Sequence, residues 1–386
     1  MHKKNLTFAL VCLLLAASPA QAETPPPDQA APLCLPDVYA GESPGCALLG
    51  PAVVLTHQAE MAAAPVTRAQ RFVPLSDDYG HNIYNYVKIN PDEKRLIYPS
   101  LEKAIKREGD ITSFTGGFSY ATYDERVYGE DGKIYYKLTT GYWLRSSSTK
   151  GHVEPTKFKG VLLPQGTPER KFGWVLNNYE ARSKPGYYKN FGTDNILPRY
   201  TMIEVFDEVT IDNYTYYMIA PDEWVIQTVV GLVYPSAEPP TGVENGKWIE
   251  LNLFEQTMAV YENGEMVFAT LTTSGSKRFF TRPGLFKITE KLEITHMQGG
   301  VEEDGSDRYY LMNVPWTMYF DERRALHGEY WHDHLGYPSS HGCANLSFAD
   351  AEWMFNWAEL GDWVYVWDPS GKTPIHEELF TQYLTE

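Results

Sequence analysis

Positive charge is scarce in this chain. Its 386 residues include 33 Lys and Arg against 50 Asp and Glu, which gives a formal net charge of −17 at pH 7. A chain with this deficit repels polyanions, so the composition argues against nucleic acid and anionic membranes as partners. Most of the charge is explained simply by the solubility that a secreted protein needs.

Long apolar runs are scarce too, and the first one is too short to cross a bilayer. Lys3 and Lys4 precede an apolar run over residues 6–17, and residues 20–22 have the small-x-small form that signal peptidase accepts. A spanning helix needs about 20 apolar residues. We therefore predict a cleaved signal peptide over residues 1–22 and a protein that works outside the cytoplasm without membrane insertion. A lipoprotein anchor is not predicted, because no Cys stands at the cleavage point.

Cysteine is rare as well, with four in the chain. Cys12 lies in the predicted signal peptide. Cys34 and Cys46 lie close together in a segment rich in Pro and Gly, and we predict that they form a disulfide. Cys343 is then left unpaired, and a free thiol in an oxidising compartment is a liability unless it has a chemical task.

The most informative motif surrounds that unpaired thiol. Residues 339–347 read Ser-Ser-His-Gly-Cys-Ala-Asn-Leu-Ser, and His327-Gly328 stands sixteen positions (343 − 327) before Cys343. A thiol is weakly nucleophilic until it loses its proton, since free Cys has a pKa of about 8.5. A neighbouring imidazole takes that proton in Cys–His enzymes. The spacing predicts an acyl-transfer site with Cys343 as nucleophile and His327 as base.

The region before this site predicts several parts, mostly β. Aromatic residues in short alternating runs indicate strands. Two stretches share the pattern strand, tight turn, strand with Trp near the start of the second strand, at residues 133–145 and 214–226. They resemble the SH3-like modules found beside bacterial cell-wall enzymes. The predicted parts are a Pro/Ala-rich arm (23–80), two SH3-like modules (81–150, the more degenerate, and 170–234), a stiff linker (235–246), a catalytic domain (247–369) and a tail (370–386).

The predicted catalytic domain begins with a β-meander. Alternating strands are expected over residues 247–253, 255–261 and 266–272, with a hairpin turn at Asn263-Gly264. A further strand is expected over residues 283–288. One helix starts at Ser347, where Ser347 and Asp350 form a capping box, and a last strand covers residues 363–367.

Residues 247–368 resemble the L,D-transpeptidase catalytic domain of the YkuD type. The resemblance rests on Gln256-Thr257, the strand entry Arg282-Pro283-Gly284, the His-Gly pair, and the Ser-His-Gly-Cys run that continues to Asn345. Asn345 stands where many members have Arg, which bears on the subfamily and the substrate. The fold implied is a β-sandwich or barrel-like catalytic domain with one clear helix, preceded by one or two small SH3-like β-barrels.

The resemblance also implies an activity on peptidoglycan, without a cofactor. Cys343 would attack the third residue of a tetrapeptide stem and release D-Ala. The side-chain amine of a second stem would then take the acyl group and form a 3→3 cross-link. Water as acceptor would give L,D-carboxypeptidase activity, and linkage to a wall protein is a further alternative. The SH3-like modules would bind glycan or peptide ligands.

Other residues of the motif receive supporting roles. We expect the backbone N–H groups of Gly342 and Cys343 to hold the oxyanion, and Gly328 to allow a tight bend. His341, Ser340 and Asn345 are expected to brace the loop by hydrogen bonds. Four aromatic residues are expected along the substrate cleft: Tyr310, Trp316, Tyr319 and Tyr330.

Three alternatives remain at this point. His327, His332, His334, His341 and Cys343 are potential metal ligands, although no pair has helical i, i+4 spacing on a recognised helix. In a papain-like peptidase the Cys precedes its His by a long stretch, which is the reverse of the order seen here. A non-enzymatic wall-binding protein with an inert thiol is the third.

Overall fold

The computed structural model describes residues 72–90, 96–112, 117–186, 191–236, 238–276, 279–300 and 307–375. The predicted signal peptide, nearly all of the Pro/Ala-rich arm and the predicted Cys34–Cys46 disulfide lie outside these residues. The described residues all belong to one compact unit, Thr67–Glu386.

This part of the chain is mainly β, as predicted. Its two α-helices are α1 (Leu101–Lys106) and α2 (Phe348–Trp357), and neither has the length and apolar character of a membrane span. Two 3₁₀ turns cover Ser146–Ser148 and Gln227–Val229. The strands are β1 (Val73–Pro74), β2 (Asn85–Ile89), β3 (Leu96–Tyr98), β4 (Ile111–Thr112), β5 (Phe118–Tyr128), β6 (Ile134–Leu138), β7 (Trp143–Arg145), β8 (Thr149–Val153), β9 (Val161–Leu162), β10 (Phe172–Val175), β11 (Tyr179–Arg182), β12 (Gly192–Leu197), β13 (Met202–Glu204), β14 (Asp207–Ile211), β15 (Tyr214–Ala220), β16 (Glu223–Ile226), β17 (Val230–Val233), β18 (Trp248–Asn252), β19 (Thr257–Glu262), β20 (Glu265–Leu271), β21 (Gly284–Lys287), β22 (Glu290–Gly299), β23 (Tyr309–Asp321), β24 (Arg324–Gly328), β25 (Ala344–Leu346) and β26 (Trp363–Trp367).

The predicted meander forms the centre of a seven-stranded sheet with the order β1-β9-β20-β19-β18-β26-β21. Asn263 and Gly264 both have positive φ, at 54° and 80°. Two consecutive left-handed residues are what a two-residue hairpin needs to match the twist of its strands. The last strand, β26, lies parallel to β18 in the register Trp248↔Trp363. The short-range pattern therefore predicted this sheet correctly.

A second, eleven-stranded sheet joins the early and late parts of the chain. Strand β23 pairs in parallel with β5, in the register Tyr309↔Phe118 and Leu311↔Tyr120. Residues 81–150 thus share a sheet with residues 290–346. The strand pairing therefore does not show a separate small barrel in this region.

The hydrophobic core crosses the same boundary. Tyr86 and Tyr120 are buried in one cluster with Tyr330 and Phe348. The rings of Tyr86 and Tyr330 stack with centroids 3.8 Å apart. Aromatic pairs of this kind add to the free energy of area burial. The early β region and the late one therefore pack as one body.

The internal repeat is visible as a local order of elements. Strands β6 and β7 are followed by a 3₁₀ turn and β8, and strands β15 and β16 by a 3₁₀ turn and β17. In the second copy the strands divide between a three-stranded sheet, β13-β10-β17, and a five-stranded sheet, β12-β11-β16-β15-β14. The SH3-like assignment itself stays a prediction.

The segment predicted as a linker is docked on the sheet that follows it. The Ser236 backbone N–H donates to the Tyr261 hydroxyl at 3.1 Å. Val243 is buried in a cluster with Trp248 and Tyr261. The buried Glu255 carboxylate also accepts from the Leu232 N–H at 3.0 Å. These contacts hold residues 230–246 against the seven-stranded sheet.

Helix α2 fixes the segment that leads into it. The Ser347 hydroxyl accepts from the Asp350 N–H at 3.2 Å, as the predicted N-cap requires. The Asp350 carboxyl accepts from the Gly160 N–H at 2.7 Å and from the Thr270 hydroxyl at 2.6 Å, and burial raises its pKa to about 6. The start of helix α2 is therefore anchored to β20. Because β25 leads directly into this helix, the anchor also holds β25 in place.

We expect Tyr86→Ala to destabilise the whole unit. Removing a fully buried aromatic ring costs about 3–5 kcal/mol, and this ring packs between the early strands and the late core. Calorimetry should show one unfolding transition at a lower temperature. Tyr86→Phe is the matched control, because the Tyr86 hydroxyl is buried without a hydrogen-bond partner in the described structure. Two transitions, of which only one moves, would contradict the single body.

Candidate active site

Two neighbouring strands bring the predicted nucleophile and base to one cavity. Strands β24 and β25 pair in parallel, with His327 opposite Asn345 and Leu326 opposite Ala344. Cys343 directly precedes β25 in the chain. The side chains of Cys343 and His327 line the same cavity.

Cys343 stands where two cavities meet. The smaller cavity has a volume of about 240 Å³ and the larger one about 410 Å³. Four residues line both of them: Met297, Tyr309, His341 and Cys343. The thiol, which belongs to a half-buried residue, is therefore reached from either side.

His327 is oriented as a neutral base. Its Nδ1 lies 3.1 Å from the carbonyl oxygen of Gly328, which only accepts hydrogen bonds. That contact assigns the ring proton to Nδ1 and leaves the lone pair on Nε2. The side chain is 2 % exposed, and burial lowers its pKa to about 4. The imidazole is therefore uncharged near neutral pH.

The Cys343 thiol is also uncharged at rest. Its Sγ donates to the carbonyl of Arg323 at 3.7 Å. Desolvation raises the pKa of the thiol, although the Ala325 N–H and the Arg324 guanidinium act in the opposite direction. Because the thiol and the imidazole are both neutral, the thiol proton moves to a base during attack on substrate.

Ser340 ties the nucleophile loop together. Its hydroxyl donates to the Cys343 carbonyl at 2.5 Å and accepts from the Gly342 N–H at 3.0 Å. Gly342 has a φ of 110°, which L side chains rarely adopt. The prediction that the Gly342 N–H holds the oxyanion fails in this conformation, because that donor already serves Ser340. The N–H of Cys343 is left as the candidate donor.

His341 is held by ring contacts at the junction of the two cavities. Its imidazole lies 4.2 Å from the Phe279 ring and 5.0 Å from the Tyr309 ring, measured between centroids. His341 is an exposed part of the cavity wall. The expectation that its hydrogen bonds order the loop stays a prediction.

Gly328 does not form the predicted bend. It is the last residue of β24 and pairs with Leu346. A Cβ atom at this position would come within 3.1 Å of both the Phe348 ring and the Pro315 ring. Close packing against the core, rather than a turn, explains the glycine.

The four aromatic residues expected along the cleft have different places. Tyr319 lines the smaller cavity. Tyr330 is fully buried and donates to the Met312 carbonyl at 2.7 Å, and Trp316 packs its ring 5.3 Å from that of Phe348. Both belong to the core, so the prediction is wrong for them.

Tyr310 is also absent from the walls of the two cavities, and strand alternation explains why. Its neighbours Tyr309 and Leu311 both line the larger cavity. Successive side chains of a strand point to opposite faces. Tyr310 accordingly packs against the cluster around Met312 on the other side of the sheet.

Several residues that line the two cavities were not among the predicted site residues. Phe118, at the start of β5, lines the larger cavity beside Trp331, with ring centroids 6.5 Å apart. No local pattern near Phe118 could reveal this, because only the parallel pairing of β5 with β23 brings it there. Met297 and Arg323 were also missed. Trp331 stands three positions after Gly328, so a search among the sequence neighbours of the His-Gly pair could have found it.

The histidines of the metal alternative are engaged in protein contacts. His332 Nε2 lies 2.8 Å from the Glu329 carboxylate, and His332 Nδ1 accepts from the His334 N–H at 3.2 Å. Among the described residues, no three His, Cys, Asp or Glu side chains are arranged to hold a metal ion.

Comparison with known proteins places the site within a family. The sequence model of the L,D-transpeptidase catalytic domain, YkuD, matches residues 246–366. No curated protein matched. A solved L,D-transpeptidase from Xylanimonas cellulosilytica is 23% identical over 34% of this chain and 64% of its own, with a TM-score of 0.28. One from Stackebrandtia nassauensis is 26% identical over 35% and 60%, with a TM-score of 0.27.

The catalytic domain of the Enterococcus faecium L,D-transpeptidase is 27% identical over 33% of this chain and 100% of its own, with a TM-score of 0.29. The chain thus spans about 60–64% of the first two solved structures. The family match covers the meander, the His-Gly pair, the cysteine loop, helix α2 and nearly all of β26. Residues 246–366 are therefore an L,D-transpeptidase catalytic domain of the YkuD family.

Proposed function

We propose that this protein is a secreted peptidoglycan L,D-transpeptidase with Cys343 as its nucleophile. The observation that carries the proposal is the position of Cys343, at the junction of two cavities, the larger of which His327 also lines. A transferase needs a donor and an acceptor to reach one atom from different directions. Two cavities meeting at a thiol provide that arrangement.

In the first half-reaction, Cys343 Sγ attacks the carbonyl carbon of the third residue of a tetrapeptide stem. The thiol proton passes to His327 Nε2 as the C–S bond forms. The Cys343 N–H stabilises the oxyanion of the tetrahedral intermediate. Collapse breaks the C–N bond, and His327 returns the proton to the amine of the departing D-Ala.

The charge of the smaller cavity supports binding of the donor there. Arg323 lines it and is exposed, and Arg324 lines it while donating to the Asp321 carboxylate at 2.9 Å. The larger cavity has Arg308 next to Asp307. The D-Ala of the donor ends in a carboxylate, and guanidinium groups are the preferred partners of carboxylates. The acceptor stem then enters through the larger cavity.

In the second half-reaction, the amine of another stem attacks the thioester carbon. The C–N bond forms, the C–S bond breaks, and a proton from the amine reaches the sulfur through His327. Water in place of the amine would release a tripeptide, which is the L,D-carboxypeptidase alternative. The predicted signal over residues 1–22 supports an extracytoplasmic, cell-wall location. Glycan or peptide binding by residues 81–150 and 170–234 belongs to the same proposal.

Incubation of the purified protein with a defined tetrapeptide stem tests the proposal. We expect free D-Ala and a cross-linked dimer, identified by mass, and the same products when EDTA is present. D-Ala with tripeptide alone would favour the carboxypeptidase. Intact stems after prolonged incubation with folded protein would reject both, and loss of products in EDTA would revive the metal alternative.

A further inference from the structure

A buried carboxylate lies behind one wall of the larger cavity. Glu329 is fully buried, and its Oε2 accepts from Asn345 Nδ2 at 2.9 Å. The same oxygen lies 2.8 Å from His332 Nε2. Asn345 and His332 both line the larger cavity. One negative group thus supports two residues of the wall.

This carboxylate determines which way the Asn345 amide points. An ionised carboxylate only accepts hydrogen bonds, so the NH₂ group of Asn345 faces Glu329. The amide oxygen, Oδ1, is then turned away from it. Asn345 is 2 % exposed, and its Oδ1 has no hydrogen-bond partner in the described structure. The Oε1 atom of Glu329 is unpartnered in the same way.

An acceptor without a donor on a residue of the cavity wall, Asn345 Oδ1, calls for a ligand that donates. A buried polar atom left without a partner costs about 1–3 kcal/mol. A primary ammonium has three donors and no acceptor. The negative charge behind Asn345 favours such a cation over an uncharged amide N–H.

We propose that Asn345 Oδ1, backed by Glu329, binds the primary ammonium of the acceptor substrate. This inference rests on the proposed transpeptidase function and specifies its acceptor side. The register places Asn345 opposite His327, so an ammonium held there lies beside the catalytic base. Once bound, the ammonium loses one proton to solvent, and the free amine attacks the thioester carbon. A second proton then passes from the attacking nitrogen through His327 Nε2 to the departing sulfur.

His332 acts as a positioning residue in this arrangement. Its Nε2 faces Glu329 and its Nδ1 accepts from the His334 N–H, so both ring nitrogens are engaged. Other charged or titratable groups near the site are Asp307, Arg308, His327, Asp333 and Cys343. Burial raises the pKa of Glu329, whereas His332 lowers it, and a bound cation would favour the ionised form further.

The test compares a charged and an uncharged amine as acceptors for the acyl-enzyme formed with a tetrapeptide donor. Near neutral pH butylamine is a cation, whereas hydroxylamine is uncharged. The quantity measured is the ratio of the second-order rate constants of transfer to the two amines. In Glu329→Gln we expect this ratio to fall about tenfold, because a charge-assisted contact of about 1.4 kcal/mol is lost.

Glu293→Gln is the matched control. Glu293 is exposed on β22 and lines neither cavity, so the same change there should leave the ratio as in wild type. Thermal unfolding checks that Glu329→Gln is folded. Asn345→Ala, which removes Oδ1 itself, provides a second variant with the same expected fall in the ratio.

Each result bears on a separate claim. An unchanged ratio in a folded Glu329→Gln or Asn345→Ala protein overturns the ammonium site. An equal fall in Glu293→Gln also overturns it, because the effect would then be a general one of charge. Wild-type protein that forms no acyl-enzyme with the donor would instead overturn the proposed function, and the ammonium site with it.

Discussion

Cys343→Ala is expected to form no covalent adduct with a carbapenem, whereas the wild-type protein should gain one equivalent. A carbapenem is a β-lactam, and its strained lactam carbonyl is open to attack by a thiol. Attack by Sγ forms a C–S bond and breaks the lactam C–N bond, so the adduct keeps the whole mass of the reagent. Mass spectrometry of the intact protein measures this directly.

The substitution should leave the fold intact, which makes the result interpretable. Cys343 is half-buried, and its thiol donates to the Arg323 carbonyl over a long distance, 3.7 Å. The variant should therefore unfold at nearly the wild-type temperature. An adduct that persists on folded Cys343→Ala would refute the assignment of the nucleophile. Peptide mapping would then show which other residue reacts.

His327→Ala is expected to slow acylation by about a hundredfold to ten-thousandfold near neutral pH, the usual contribution of a general base. The effect should be large because the resting thiol is protonated. Desolvation raises the pKa of Cys343, so little thiolate is present without a base. Stopped-flow measurement of carbapenem opening gives the rate.

The pH profile separates loss of the base from damage to the fold. The pKa of His327 is lowered to about 4, so the imidazole is a competent base above that pH and is lost only below it. The wild-type rate should therefore fall on the acid side near pH 4 and change little towards neutrality. In His327→Ala the rate should rise steadily with pH, following the thiolate fraction, so the two proteins converge in alkali.

His334→Ala is the matched control for this prediction. His334 follows His327 by seven positions and is exposed, and it forms hydrogen bonds through its backbone N–H and carbonyl. Its acylation rate should be close to that of the wild type. A His327→Ala protein with near wild-type rate and pH profile would show that another group activates the thiol.

Short-range patterns predicted the regular elements well. Strands β18 to β20 follow from alternation and from the Asn263-Gly264 turn. Helix α2 follows from its Ser347 cap and from apolar residues at helical spacing. Each of these signals spans only a few residues, so it can be recognised without knowledge of distant contacts. The Ser-His-Gly-Cys motif could be recognised for the same reason.

The predictions for Tyr310 and for a separate barrel over residues 81–150 depended on long-range strand pairing, which local patterns do not reveal. Alternation along β23 sends Tyr309 to the cavity and Tyr310 to the opposite face, and no local signal says which face is which. The parallel pairing with β5 decides it. The same pairing makes residues 81–150 part of the second sheet rather than a separate small barrel.

The amino-acid sequence alone determined the mainly β character and the position of one capped helix, and it predicted which thiol and which imidazole take part in the proposed reaction. It did so because periodicity, turn chemistry and motif spacing are local properties of the chain. Only the tertiary structure decided that the Cys343 thiol lies between two cavities, that Cys343 and His327 rest uncharged, and that Glu329 stands behind Asn345. Those features depend on desolvation and on contacts between distant segments, which exist only once the strands have paired.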